Sequence, residues 1–354
     1  MFASDPLPAA TARMGLLAGC LALPLGLFGT QAANAAEDNG FFSLETENDF
    51  FFAIGTDRHY TNGVKMSWTS APREDLPDWL YAVSAPPLFT GNEDITRTTH
   101  RVGLSLAHEI FTPADTQQTA PQPNDRPYAA WLHTTLLLMS TRYSGENEAW
   151  QDKWQLDLGV VGPAAMGEEV QNGWHRTFGW QTIKGWDNQI HNEPGVNLTL
   201  ERAWRSGRLQ TPGILGLETD FIPYGVIALG NVSTFAGFGG TLRLGSNLPD
   251  DFGPTGIYPS NGGSDWFIPT TGFNWYGFVG ASGRYVARNI FLDGNTFRDS
   301  ASIDKRAFVA DLKAGLVAVI WDTRLSLTNV YRTYEFYGQP EPDMFGSLTV
   351  SFAL

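Results

Sequence analysis

Leu348-Thr349-Val350-Ser351-Phe352-Ala353-Leu354 closes the chain with a large apolar residue at every second position. A period of two marks a β-strand with one apolar face. The same period recurs upstream. Val64, Met66 and Trp68 alternate with Lys65, Ser67 and Thr69. Val102, Leu104 and Leu106 alternate with Gly103, Ser105 and Ala107. Trp154, Leu156, Leu158 and Val160 alternate with Gln155, Asp157 and Gly159. Further strands are predicted over 40–46, 128–141, 196–200, 214–227, 235–244, 276–290, 307–320 and 325–334. That makes about twelve strands with no longer repeat.

A soluble sandwich also alternates, so the pattern alone leaves two fold classes open. Three features favour a membrane barrel. First, Arg13 precedes a largely apolar run, Met14 to Gly29, and then Ala33-Asn34-Ala35. This reads as a signal peptide over 1–35, leaving a barrel over 36–354. Second, aromatics are 13% of the 354 residues, with 12 Trp, enough for the girdles of a membrane barrel. Third, the apolar terminal strand resembles those by which outer-membrane proteins are assembled. Phe352 and Leu354 should face lipid, and Thr349 and Ser351 the lumen. Beyond the leader no run of 18 apolar residues occurs, so a membrane chain of this kind must span as a closed barrel. The expected fold is all-β: a transmembrane antiparallel up-and-down β-barrel of about twelve strands, placed in the outer membrane of a Gram-negative cell.

Composition excludes other classes. Net charge is -14, which rules out nucleic acid bound by phosphate neutralisation. Cys20 is the single cysteine and lies in the leader. Leu17-Ala18-Gly19-Cys20 has the look of a lipoprotein box, but too few apolar residues precede it. The mature chain then has no thiol for disulfides, nucleophilic catalysis or metal ligation.

With the N-terminus periplasmic, the loops after Asn48, over 112–127 and around His175 are the first three outer loops, and they meet at one rim. The third holds Gly167-Glu168-Glu169-Val170-Gln171-Asn172-Gly173-Trp174-His175-Arg176-Thr177-Phe178-Gly179. Glycines bracket it, acids stand near its start, and it lacks strict alternation, so a short helix is predicted. On that helix Gln171 and His175 share a face. Taken alone, this is an amphipathic lid with a surface histidine. At the rim it joins Asn48, Asp49 and Thr61. A histidine takes a proton from water. Carboxylate, hydroxyl and carbonyl oxygens hold a hard cation that polarises an ester carbonyl. Amides steady an oxyanion or orient the base. Singly, Asn48-Asp49 is also an Asx turn, and Tyr60-Thr61-Asn62-Gly63 a turn leading into a strand. His100, His108 and His133 fall in strands and read as packed or lumen-facing.

Several motifs together resemble the lipid A 3'-O-deacylase family of outer-membrane β-barrel enzymes. They are Glu47-Asn48-Asp49, Tyr60-Thr61-Asn62-Gly63, Asn124-Asp125-Arg126-Pro127-Tyr128-Ala129-Ala130-Trp131, Val160-Val161-Gly162-Pro163 and Glu169-Val170-Gln171-Asn172-Gly173-Trp174-His175-Arg176. They occur in the family's order over about 40–200. The resemblance implies a calcium-dependent carboxylic ester hydrolase. Its partner is the lipid A of lipopolysaccharide, from which it removes the 3'-linked acyloxyacyl group, and the chain is expected to be a monomer. By position, His175 is the base with Gln171 beside it, Asp49 and Thr61 sit at the metal, and Asn48 supports the site. A mostly oxygen ligand set prefers calcium or magnesium to zinc, and calcium tolerates irregular loop ligands better than magnesium. The family's second outer loop carries a lysine. Here Gln117, Gln118 and Thr119 stand in that loop, and Arg126 is the nearest cation. The alternatives are an outer-membrane phospholipase using a serine such as Ser67, and a non-catalytic channel or structural barrel.

Overall fold

The computed structural model describes residues 40–49, 58–77, 95–144, 148–207, 209–210, 216–259 and 261–354. The leader over 1–35 and most of the 71–97 segment lie outside them. The described residues form twelve strands of eight residues or more: β1 (Phe41–Asn48), β2 (His59–Thr69), β3 (Arg97–Thr112), β4 (Ala129–Ser144), β5 (Glu148–Val161), β6 (Glu193–Arg205), β7 (Glu218–Gly230), β8 (Ser233–Ser246), β9 (Phe273–Asn289), β10 (Phe308–Ile320), β11 (Thr323–Arg332) and β12 (Asp343–Ala353). A two-residue strand, Leu209–Gln210, adds to the edge of β7. Each long strand pairs antiparallel with its sequence neighbours, and β1 with β12 closes the ring. This is the up-and-down barrel that the period of two predicts. Among the described residues the α-helices are α1 (Gly167–Phe178), in the loop between β5 and β6, and the single turn α2 (Ile290–Asp293).

Alternation becomes a lipid face and a lumen face. Met66, Trp68, Leu104, Leu106, Leu136 and Leu158 are exposed on the outer wall. A bilayer covers such a belt, so these side chains stay out of water. Phe352 and Leu354 are exposed, while Thr349 and Ser351 are buried towards the lumen, as the terminal strand predicts. Trp68, Trp204, Trp275 and Trp321 are all exposed at the end opposite α1, the arrangement of an interfacial girdle.

The lumen is filled. Paired charges line it: Lys65 with Glu45 at 3.1 Å, Lys153 with Glu201 at 2.7 Å, and Arg284 and Arg332 with Asp311 at 2.8 and 2.9 Å. Buried charge of this kind survives only where it is paired. Towards the α1 end an aromatic cluster spans the interior. In it Phe111 stacks on Phe291 of α2 at 4.0 Å, with Tyr60, Tyr258 and Phe345 around them. His133 faces the lumen. His100 and His108 occupy outward positions and are covered, His108 by the Ala165 carbonyl at 2.7 Å.

Several boundaries move. The strand predicted over 214–227 is observed at Glu218–Gly230, and the last strand begins at Asp343 rather than 348. Residues 343–347 hide the period, because Gly346 and Ser347 carry no hydrophobic contrast.

Candidate functional site

α1 runs from Gly167 to Phe178, as its bracketing glycines predict. Glu168 and Glu169 occupy its first turn and Arg176 its last, charges that complement the helix dipole, and His175 shares that last turn. Gly179 ends it at φ 69°, its amide reaching the carbonyls of Arg176 and His175. Gly167, Gln171, Asn172 and His175 are buried and share one face. The predicted pairing of Gln171 with His175 on one face is therefore observed.

That face lies against the outside of the barrel. One register row crosses the outer wall: Gly346, Asn48, Asn62, Ile110, Ala130. A Cβ on Gly167 would stand 2.6 Å from Ala130 Cβ and 2.7 Å from the Trp186 ring, so only glycine allows the helix to start there. Val170 packs on Ile110, Tyr128, Ile183 and Trp186. Three residues of helix rise about 4.5 Å, close to one strand spacing of about 4.8 Å. Continued at that pitch, the helix places Gln171 just past Ile110 of β3 and carries His175 to between the β2 and β1 positions of the row, Asn62 and Asn48.

On that side Glu47 points inward and Asn48 outward by alternation. Asp49 is buried, and its Oδ2 accepts from the Arg58 amide at 2.9 Å. Thr61 is the extra residue of a bulge between Tyr60 and Asn62. Its hydroxyl meets that of Thr112 at 2.8 Å. Thr112 follows the inward-facing Phe111, which puts this pair on the outer face. Asn48, Asp49 and Thr61 thus share one end of the β1–β2 hairpin.

The chain leaving α1 folds back to hold the imidazole. His175 Nδ1 lies 2.6 Å from the Gln181 carbonyl oxygen, which only accepts, so Nδ1 carries the proton and Nε2 the basic lone pair. Trp180 meets the His175 ring edge-on at 5.5 Å. Asn172 fixes this return through two bonds, accepting from the Ile183 amide at 2.7 Å and donating to its carbonyl at 3.1 Å. The second outer loop locks on from above. Lys184 N donates to Thr116 O at 2.8 Å, and Gln181 Nε2 to Gln117 Oε1 at 2.7 Å. Gln171 is buried, and neither of its amide atoms has a hydrogen-bond partner among the described residues. Trp174, Phe178 and Trp180 form an exposed ridge, with successive ring centroids 5.4 and 5.3 Å apart.

Arg126, the nearest cation to the second outer loop, is fully buried, its guanidinium 4.9 Å from the Phe111 ring centre and 3.3 Å from Glu335. It braces the lid of the lumen. Sequence reasoning missed Asn172 and the Gln181 carbonyl. An amide inside an amphipathic helix is a weak signal, and a carbonyl gives none.

Among the described residues no three His, Cys, Asp or Glu side chains gather into a metal cage. The rim offers one carboxylate, one hydroxyl and the amides of Asn48 and Gln171. Such donors suit a hard, oxygen-seeking cation, whereas zinc calls for histidine and cysteine. Ser67, the serine of the phospholipase alternative, is buried on the lumen side, with no imidazole bonded to it among the described residues.

A family model described as "Outer membrane protein LpxR" matches residues 16–354. Among solved structures, LpxR from Salmonella typhimurium superposes with a TM-score of 0.68 at 21% identity, covering 88% of this chain and 99% of that one. The β domain of the Bordetella autotransporter BrkA gives 0.43 at 9% identity over 90% of this chain and 100% of that one, too distant to argue from. A search of curated proteins returns no match.

Proposed function

The chain belongs to the LpxR family of outer-membrane proteins, and from that premise we propose that it is a lipid A 3'-O-deacylase working on lipopolysaccharide in the outer leaflet, as a monomer. The observation that carries the reading is the place of His175. Its imidazole has a fixed tautomer and sits on the outer side of the barrel wall, above the lipid-facing belt. A lipid ester can reach that position from the membrane without entering the lumen.

In the proposed reaction His175 Nε2 takes a proton from water as the water oxygen bonds to the ester carbonyl carbon. The acyl C–O bond then breaks. His175 returns the proton to the departing sugar oxygen, leaving a hydroxyl on lipid A and a free carboxylic acid, which ionises by giving its proton to water. Gln171, with both amide atoms unpartnered among the described residues, has the capacity to orient the water or donate to the oxyanion. Asp49 and Thr61, supported by Asn48, are suited to hold a calcium ion, which when bound supplies polarisation of the ester carbonyl. The ridge of Trp174, Phe178 and Trp180 offers acyl chains an apolar wall beside the base.

The channel alternative fares poorly. The lumen is crossed by an aromatic cluster and by residues 247–259 and 261–272, whose amides and carbonyls bond to its wall. The test is mass spectrometry of lipid A from cells with and without this chain. Loss of one acyloxyacyl group supports the deacylase. Unchanged lipid A with released phospholipid fatty acid points to a phospholipase. No change in either points to a non-catalytic barrel.

A further inference from the structure

Residues 247–259 and 261–272 lie between β8 and β9, whose facing ends are opposite α1, yet they do not stay at that end. They climb the lumen as a folded-back loop. At its foot Arg243 grips Asp251 at 2.5 Å, and Arg324 donates to the carbonyls of Ser264 and Trp266 at 3.0 and 3.1 Å. Further up, Lys65 meets Asp265 at 3.3 Å, and the Gly262 amide donates to Glu201 at 2.7 Å. At its tip the amides of Ile257 and Tyr258 donate to the two oxygens of Glu47, at 2.9 and 3.3 Å. The Tyr60 hydroxyl adds a third bond to that carboxylate at 2.7 Å. A Cβ on Gly63 would collide with that hydroxyl, so the bare glycine lets the Tyr60 ring lie back across its own strand.

Glu47 immediately precedes Asn48 and Asp49, and Tyr60 immediately precedes Thr61. We propose that residues 247–259 and 261–272 are an internal strut, and that Glu47 and Tyr60, held by its tip, are positioning residues that set the rim of the β1–β2 hairpin against α1. The proposal rests on the reading of Asn48, Asp49 and Thr61 given above. A rim site on the outer face has fluid lipid on one side, so the rigid support for its strands comes from the lumen. Glu47 supplies it: a buried carboxylate accepting three hydrogen bonds is tightly localised, and each lost bond strands a buried donor. Glu47 points away from the outer face where substrate arrives, so it acts through its neighbours and not on the ester. The arrangement ties order at the outer rim to a segment that enters from the opposite end.

The test uses the full barrel in detergent, with Tyr60→Phe and Glu47→Gln, and Thr135→Ala as a lumen-facing control off the strut. Hydrogen exchange at 45–49 and 58–62 should rise about tenfold in both variants and stay unchanged in β9 and β10. On lipid A, kcat should fall roughly 10- to 100-fold with KM nearly constant, the signature of misplacement by about 1 Å. The control should match wild type. Heat-modifiable mobility on a gel reports assembly. If Glu47→Gln misassembles, Tyr60→Phe, which removes one hydroxyl, decides. Unchanged exchange at the hairpin overturns the strut whatever the activity. Raised exchange with unchanged kcat overturns the positioning role. An inert wild-type protein overturns the deacylase reading instead, and the exchange measurement then decides the strut alone.

Discussion

Replacing Asn172 by alanine should release the return segment that orients His175. The side chain makes two hydrogen bonds to Ile183, at 2.7 and 3.1 Å, in a buried setting. Each is worth about 0.5–1.5 kcal/mol net, so the pair contributes about 1–3 kcal/mol to docking of residues 179–184. At about 1.4 kcal/mol per decade this shifts the docked-to-undocked ratio roughly 5- to 150-fold. Hydrogen exchange at the Ile183 and Lys184 amides should accelerate by that factor. The barrel strands should keep their protection, because α1 and its return pack outside the wall. The fall in kcat should not exceed the same factor, since docked molecules still hold Nδ1 on the Gln181 carbonyl. Asn172→Asp keeps the acceptor for the Ile183 amide but turns a carboxylate towards the Ile183 carbonyl, so it should be about as damaging. Unchanged exchange at Ile183 in Asn172→Ala would refute the reasoning, because the return segment would then be held by something other than this pair.

Gly167→Leu should lift the start of α1 off Ala130 and Trp186 and lower kcat at least tenfold, with barrel assembly on a gel unchanged; near-native turnover would mean that the close approach is dispensable. Trp174→Ala with Phe178→Ala should raise KM for long-chain lipid esters and leave a short-chain soluble ester unaffected, and equal effects on both would exclude an acyl wall. For Asp125, burial pushes the carboxyl up, but the His59 imidazole 3.6 Å away and hydrogen bonds from the amides of Ala114 and Arg126 outweigh it and hold it below the ordinary value. A depressed folded value means that its stabilisation is complete above the unfolded carboxylate range, about 4, and is lost as pH falls further. Docking of the second outer loop, followed by hydrogen exchange of the Ala114 and Arg126 amides corrected for the intrinsic rate at each pH, should therefore stay constant from neutral pH to about 4 and weaken below it, and Asp125→Asn should remove that dependence.

Most of the wall was legible because lipid and lumen impose opposite chemistry on successive residues, as at Val64 to Thr69. α1 was legible because Gly167 and Gly179 mark its ends, and its buried face follows from the spacing of Gln171 and His175. The strut was not. Residues 247–272 have no periodicity, and they bond to the wall largely through their own backbone amides and carbonyls, which every sequence offers alike. The bulge at Thr61 was hidden for a related reason: Tyr60-Thr61-Asn62-Gly63 reads equally as a turn, and only the pairing with β3 reveals the extra residue. The burial of Arg126 was hidden too, because the groups that cover it, Phe111 and Glu335, come from other strands and loops.

The central claim is that His175 and a calcium ion at the rim act together on a lipid A ester. The direct measurement is mass spectrometry of purified lipid A incubated with purified protein in detergent, with calcium, with excess chelator, and with His175→Ala plus calcium. Loss of one acyloxyacyl group with calcium alone, abolished by chelator, restored on adding calcium back, and reduced about 10²- to 10⁴-fold in a correctly assembled His175→Ala barrel is the predicted result. Full-rate hydrolysis in excess chelator, or by His175→Ala, would contradict it.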